Sequence, residues 1–140
     1  MSKKSARIAE LVASCQGREL DAHYLGYFEC FNRGWFYEAH DVLEELWLPN
    51  RKGANGLFYK GLIQLAGAFV HLQKGRLQPA AALLRLARAN LQRYPAIHQR
   101  LEVNGLLALI GHWLDRLKTH NSTRNPLSSE SAPRLALLER

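Results

Sequence analysis

Apolar side chains recur along the chain at the three- and four-residue spacing of an amphipathic helix. The clearest case is the segment from about Leu57 to Lys74, whose apolar stripe repeats at four, three, four and three residues: Phe58, Leu62, Leu65, Phe69 and Leu72. A second apolar strip makes this helix apolar on most sides, which is typical of the middle of a domain. No useful length of chain alternates with the period of two that a half-buried strand requires. The pattern predicts an all-α fold with no sheet, with this segment as its central helix and with Leu65 and Phe69 inaccessible.

Glycine and proline mark the ends of the predicted helices. The segments are a short helix that includes Cys15 and ends before Gly17, then Glu19–Asn32, Trp35–Leu48, Leu57–Lys74, Pro79–Tyr94 and a last helix carrying Val103 to Leu117. Asn104-Gly105 is a candidate break near the start of the last helix. We therefore expect residues 1–120 to form one compact bundle of five to six helices. Residues 121–140 read as a polar tail, in which 134–140 are a candidate for one docked turn of helix.

Charge and composition exclude several classes of protein. The formal net charge of +7 is spread over a terminal arm, a loop and one late helix without interleaved aromatic residues, so we expect no specific nucleic-acid site. The longest uncharged apolar stretch, residues 61–73, is shorter than the roughly 20 residues that cross a bilayer, so no membrane span is expected. Two cysteines without metal or redox spacing, and no apparent secretory signal, predict a cytoplasmic protein.

Two predicted helices carry polar residues where apolar ones are expected. His40 and Glu44 are four residues apart, so they share one side of the predicted helix Trp35–Leu48. Gln64 and His71 are seven residues apart, so they share one side of the predicted central helix Leu57–Lys74. The loop between these helices is short, so they should pack antiparallel and bring the two pairs together. The predicted polar pocket contains His40, Glu44, Gln64 and His71, with Trp47 and Tyr37 as its walls.

Two blocks of this sequence carry a resemblance. Residues 31–47 read Phe-Asn-Arg-Gly-Trp-Phe-Tyr-Glu-Ala-His-Asp-Val-Leu-Glu-Glu-Leu-Trp, and residues 60–66 read Lys-Gly-Leu-Ile-Gln-Leu-Ala, followed by His71 and Gly75. Both blocks, in this order, resemble the family known as domain of unknown function 309, over roughly Leu20 to Tyr94. The chain departs from the family at Pro79-Ala80, where Gly-Ala is expected. The resemblance implies a small helical bundle and no established activity.

Three hypotheses for the polar pocket stay open. It is a structural hydrogen-bond network that fixes helix register, or a binding site for a small polar ligand or a partner's side chain. An exposed acidic ridge of Glu38, Asp41 and Glu45 could instead meet a basic partner or a second copy of the chain. In the third hypothesis the chain is an enzyme, with His40, Glu44 and His71 as zinc or iron ligands or as metal-free acid-base groups. No catalytic residue is assigned and no cofactor is predicted.

Overall fold

The computed structural model describes residues 3–14, 20–119 and 125–139, and within them it contains six helices and one small hairpin. The helices are α1 (Lys3–Ser14), α2 (Ala22–Asn32), α3 (Phe36–Asn50), α4 (Gly56–Gln73), α5 (Leu77–Leu91) and α6 (Val103–Thr119). The hairpin is formed by β1 (Ile97–His98) and β2 (Leu101–Glu102). The expectations for Cys15, Gly17 and Glu19, and for residues 121–124 and 140, lie outside the described residues.

The helix ends follow from local chemistry. The Asp21 carboxylate accepts a hydrogen bond from the His23 backbone N–H at 2.7 Å and caps α2. Gly34 (φ 76°) and Gly75 (φ 72°) follow α2 and α4 in the left-handed conformation that only glycine adopts freely, as the sequence predicts. The predicted end of α3 at Leu48 is wrong, because Pro49 lies inside its last turn. Pro49 has no N–H to donate to the Glu45 carbonyl one turn earlier, and next to it the Asn50 side chain donates to the Leu46 carbonyl at 2.8 Å.

The core surrounds α4, as the apolar pattern predicts. Leu65 is 1% exposed and Phe69 is fully buried. The Phe69 ring has its centroid 5.1 Å from Phe36 of α3, 5.7 Å from Phe31 of α2 and 5.0 Å from Trp113 of α6. The side of α4 that carries Phe69 therefore packs against α2, α3 and α6. The opposite side of α4 does not face these three rings.

A two-stranded hairpin corrects the prediction that the fold has no sheet. Ile97 pairs with Glu102 and His98 with Leu101, and the connecting Gln99 and Arg100 both have positive φ, 45° and 62°. This is the backbone of a two-residue hairpin turn without the usual glycine or asparagine, so the sequence carried no turn signal. Strands of two residues are also too short to show an alternating pattern.

The C-terminal segment, residues 125–139, is docked but contains no helix, so the helical turn considered for residues 134–140 is wrong in the part described. The Asn32 side chain donates to the Leu135 carbonyl at 2.7 Å and accepts from the Leu135 N–H at 2.6 Å. Arg100 Nε donates to the Leu138 carbonyl at 2.8 Å, and the Leu138 N–H donates to the Arg100 carbonyl at 2.6 Å. The bundle satisfies backbone groups that a helix would have paired internally, and we call this segment the C-terminal strap.

None of the helices in the described ranges combines the length and apolar character that a membrane crossing requires.

Candidate functional site

The side of α4 that faces away from the core carries Lys60, Gln64, Gly67 and His71, which we call the α4 outer stripe. These positions are spaced at four, three and four residues, so they share one face of the helix. Lys60 is exposed and the other three are half-buried. A methyl group added at Gly67 would lie 3.2 Å from Leu83 Cδ1 of α5 and 4.0 Å from His40 Cδ2 of α3. Gly67 therefore lies between α3 and α5, with a side chain of each helix next to it.

The predicted pocket residues of α3 lie along the edge of this stripe. His40 is next to Gly67, and its Nδ1 is 3.0 Å from Asp41 Oδ1. The Tyr37 ring stacks near it, with centroids 6.4 Å apart and planes at 25°. The carboxylate that orients His40 is thus that of its sequence neighbour, whereas helical spacing had paired His40 with Glu44.

The remaining members of the predicted pocket have separate surroundings. The Gln64 amide oxygen accepts a hydrogen bond from Asn90 Nδ2 of α5 at 2.8 Å. Lys60 Nζ lies 6.0 Å from the centroid of the half-buried Trp47 ring. Among the hydrogen bonds of the described residues, none joins two of the predicted four, and the half-buried Glu44 takes part in none. Asn90 was missed because no spacing within its own helix identifies a partner on α4.

His71 contributes a neutral imidazole to the outer stripe. Its Nδ1 atom is buried and has no hydrogen-bond partner in the described structure. Burial lowers the pKa of His71 below its usual value, and the nearby Arg76 and Lys74 lower it further. The lowered pKa favours the uncharged form of the ring at neutral pH.

The predicted acidic ridge is largely engaged within the chain. The Glu38 side chain is 14% exposed, and its carboxylate accepts a hydrogen bond from Arg7 Nη1 of α1 at 2.8 Å. The Arg7 guanidinium lies 4.2 Å from the centroid of the Trp35 ring. Glu45 Oε2 is 3.0 Å from His23 Nε2 of α2. These contacts fix α1 and α2 against α3, so the expectation of a freely exposed ridge is wrong for Glu38.

The candidate metal ligands are not grouped as a metal centre. In residues 3–14, 20–119 and 125–139, no three His, Cys, Asp or Glu side chains are placed to hold a metal ion together. His40, Glu44 and His71 are therefore not preassembled as three ligands, and zinc or iron binding stays an untested hypothesis. The Cys30 thiol is fully buried, and burial raises its pKa to about 12, so it is a poor nucleophile.

A second polar cluster ties the loop before α4 to the hairpin. His98 Nε2 is 2.7 Å from Asn55 Oδ1, and the His98 ring centroid is 4.7 Å from that of Phe58. The Tyr94 hydroxyl donates to the Ala54 carbonyl at 2.7 Å and accepts from the Phe58 N–H at 2.9 Å. Each polar group here has a partner inside the chain, so the cluster stabilises the fold.

Comparison with known proteins gives a match to a family model. Neither the curated proteins nor the solved structures contain one that is significantly similar to this chain. The matching segment runs from the first turn of α2 through α3 and α4 into the beginning of α5, and so contains the α4 outer stripe and His40. Residues 24–83 match the family described as Domain of unknown function (DUF309), which confirms the resemblance of this segment to that family.

Proposed function

We propose that this chain is a protein-binding module whose partner is a second copy, and that the contact is the outer face of α3, α4 and α5. The observation that carries the proposal is the distribution of exposed apolar side chains. Four of the five large ones in the described part belong to these three helices, and they are 38–50% exposed: Tyr37, Leu48, Leu57 and Leu86. Helical spacing puts them on the same side as the α4 outer stripe. Exposed apolar groups that share one face with polar neighbours are typical of protein interaction sites.

The polar groups of this face favour a second copy over an unrelated partner. Lys60 and Glu44 are a cation and an anion without an ion pair in the described structure. Gln64 uses its amide oxygen for Asn90, and its N–H groups donate to no described residue. A two-fold interface brings a patch against itself, so it needs donors and acceptors, and both charges, within one patch. The outer face meets this condition.

Gly67 supports a helix-to-helix contact at the centre of the face. Gly67 has no side chain, but Leu83 Cδ1 already lies 3.2 Å from where its Cβ would be, so a partner helix would contact the half-buried Gly67 together with Leu83 and His40. The neighbours Leu83 and His40 then flank the approaching helix. Two α4 helices crossing at Gly67 would cover the half-buried stripe of both copies.

The other hypotheses have less support from the geometry. A small-ligand site needs a concave pocket, and two cavities of about 500 Å³ are lined by other residues. A structural network needs hydrogen bonds among the four predicted residues. His40 and Gln64 bond instead to Asp41 and Asn90, and Glu44 and His71 Nδ1 bond to no described residue.

Sedimentation velocity over a concentration series tests the proposal. The monomer mass is 15.9 kDa, and we expect the unmodified chain to sediment at twice that mass. Leu86→Glu and Leu48→Glu should sediment as monomers, because each puts a charge into the apolar contact. Ile97→Glu is the matched control, since Ile97 is 57% exposed but lies on the hairpin, and it should remain dimeric. A wild-type chain that stays monomeric throughout, or dissociation by Ile97→Glu as well, would contradict the proposal.

A further inference from the structure

A cavity separates the C-terminal strap from the corner between α2 and α3. Its volume is about 500 Å³, within the roughly 300–1,000 Å³ range of small-molecule sites, and it is partly open to solvent. The bundle supplies one wall and the strap the other: Asn32, Arg33, Gly34, Phe36, Leu72 and Gln73 face Asn125, Leu127, Ser128, Ser129, Ala132, Pro133 and Arg134. It lies at a different place from the α4 outer stripe.

The strap wall is held in a defined conformation. Asn125 Nδ2 donates to the Leu72 carbonyl at the end of α4 at 2.6 Å, and Asn125 Oδ1 accepts from the Leu127 N–H at 3.0 Å. Ser131 Oγ accepts from the Ser128 N–H at 2.8 Å and donates to the Pro126 carbonyl at 2.9 Å. The cavity is therefore bounded by an ordered turn on this side as well.

The charges around the cavity have one sign. Two arginines line it and no aspartate or glutamate does. Arg33 is partly neutralised, because its Nη2 is 3.6 Å from Glu29 Oε2. Arg134 has no ion pair or hydrogen bond among the described residues, and it is exposed at the rim of the cavity. An unpaired guanidinium beside a partly open cavity can bind a carboxylate or a phosphate.

The apolar part of the lining comes mainly from the strap. Leu127 and Ala132 are half-buried and border the cavity, whereas Phe36 and Leu72 border it but are at most 1% exposed. We infer that this cavity binds a small organic anion, with its carboxylate or phosphate on Arg134 and a short apolar body against Leu127 and Ala132.

A second cavity provides the control. It lies between α5 and α6, has a volume of about 500 Å³, and is lined by Arg85, Arg88 and Lys118. Asp115 also lines it and supplies a counter-charge from within the chain. An anion that is attracted only by the net positive charge of the protein should bind this second cavity at least as well as the first. Arg88→Gln therefore serves as the matched control for Arg134→Gln, because each removes one positive charge from one cavity.

Isothermal titration calorimetry of the full-length chain tests the inference with hexyl phosphate, hexanoate and hexan-1-ol as probes. We expect both anions to bind and the alcohol to bind more weakly by about tenfold or more, as expected for one charge-assisted hydrogen bond. Arg134→Gln should weaken anion binding by a similar factor, and Arg88→Gln should leave it unchanged. Equal binding of the alcohol, equal loss in Arg88→Gln, or no binding of either anion would overturn the inference.

Discussion

Substitution of Gly61 by alanine should destabilise the protein although alanine is the better helix former. In an exposed helix interior, glycine to alanine stabilises by about 1 kcal/mol. At Gly61 the added methyl carbon would lie 2.9 Å from Leu91 Cγ and 3.4 Å from the Ala87 carbonyl oxygen of α5. Leu91 is fully buried and Cγ is its branch point, so it has little room to move. Overpacking costs about 1–3 kcal/mol, which leaves a net destabilisation of about 1 kcal/mol.

Gly111 in α6 is the matched control, because a methyl group added there meets nothing within 4 Å. Gly111→Ala should stabilise by up to about 1 kcal/mol. The two variants should therefore differ by about 2 kcal/mol, which at a typical m value separates their urea midpoints by about 1 M. If the midpoint of Gly61→Ala rises together with that of Gly111→Ala, the close approach of α4 and α5 at Gly61 is refuted.

Three further predictions concern the strap, the buried thiol and the histidines. Asn32→Ala should reduce the free energy of unfolding by about 1–3 kcal/mol in urea titrations, because it removes two hydrogen bonds to the Leu135 backbone; an unchanged midpoint would show that the strap is not held there. Cys30 should resist a thiol reagent at pH 8 until the chain is unfolded, since burial raises its pKa to about 12; rapid labelling of the native chain at Cys30, identified by mass spectrometry, would contradict this. Burial lowers the pKa of both His71 and His98, so the unfolded chain takes up protons first as the pH falls below about 6.5. Urea titrations should then show stability lost below that pH and little change from there to about pH 8, and no loss in acid would contradict the burial of these rings.

The helices could be predicted because the apolar side chains of each helix recur at helical spacing on its buried face. This pattern can be read from each segment alone, without knowing which other helix it packs against. The apolar wheel of α4 identified it as central, and Phe69 is indeed fully buried. The glycines after α2 and α4 were predictable for a similar local reason, since Gly34 and Gly75 adopt the positive φ that glycine favours.

The hairpin, the strap and the polar partners were not predictable because they depend on contacts between distant residues. The Asn32 side chain binds the backbone of Leu135, which is 103 positions away. A backbone contact does not depend on the side chains of the strap, so no pattern in its sequence indicates this contact. Likewise Asn90 binds Gln64 across two helices, where helical spacing along one segment carries no information. The side of α4 on which the candidate site lies was visible in the sequence, whereas the bonds made there were not.

An NMR dilution series on the isotope-labelled, unmodified chain tests the proposed self-association most directly, because it reports which surface changes as copies separate. The account predicts concentration-dependent amide shifts at Lys60, Gln64, His71 and Leu86, with Ile97 on the hairpin unchanged. Shifts confined to the hairpin and the C-terminal strap, or none anywhere while the sedimenting mass stays that of one chain, would contradict it.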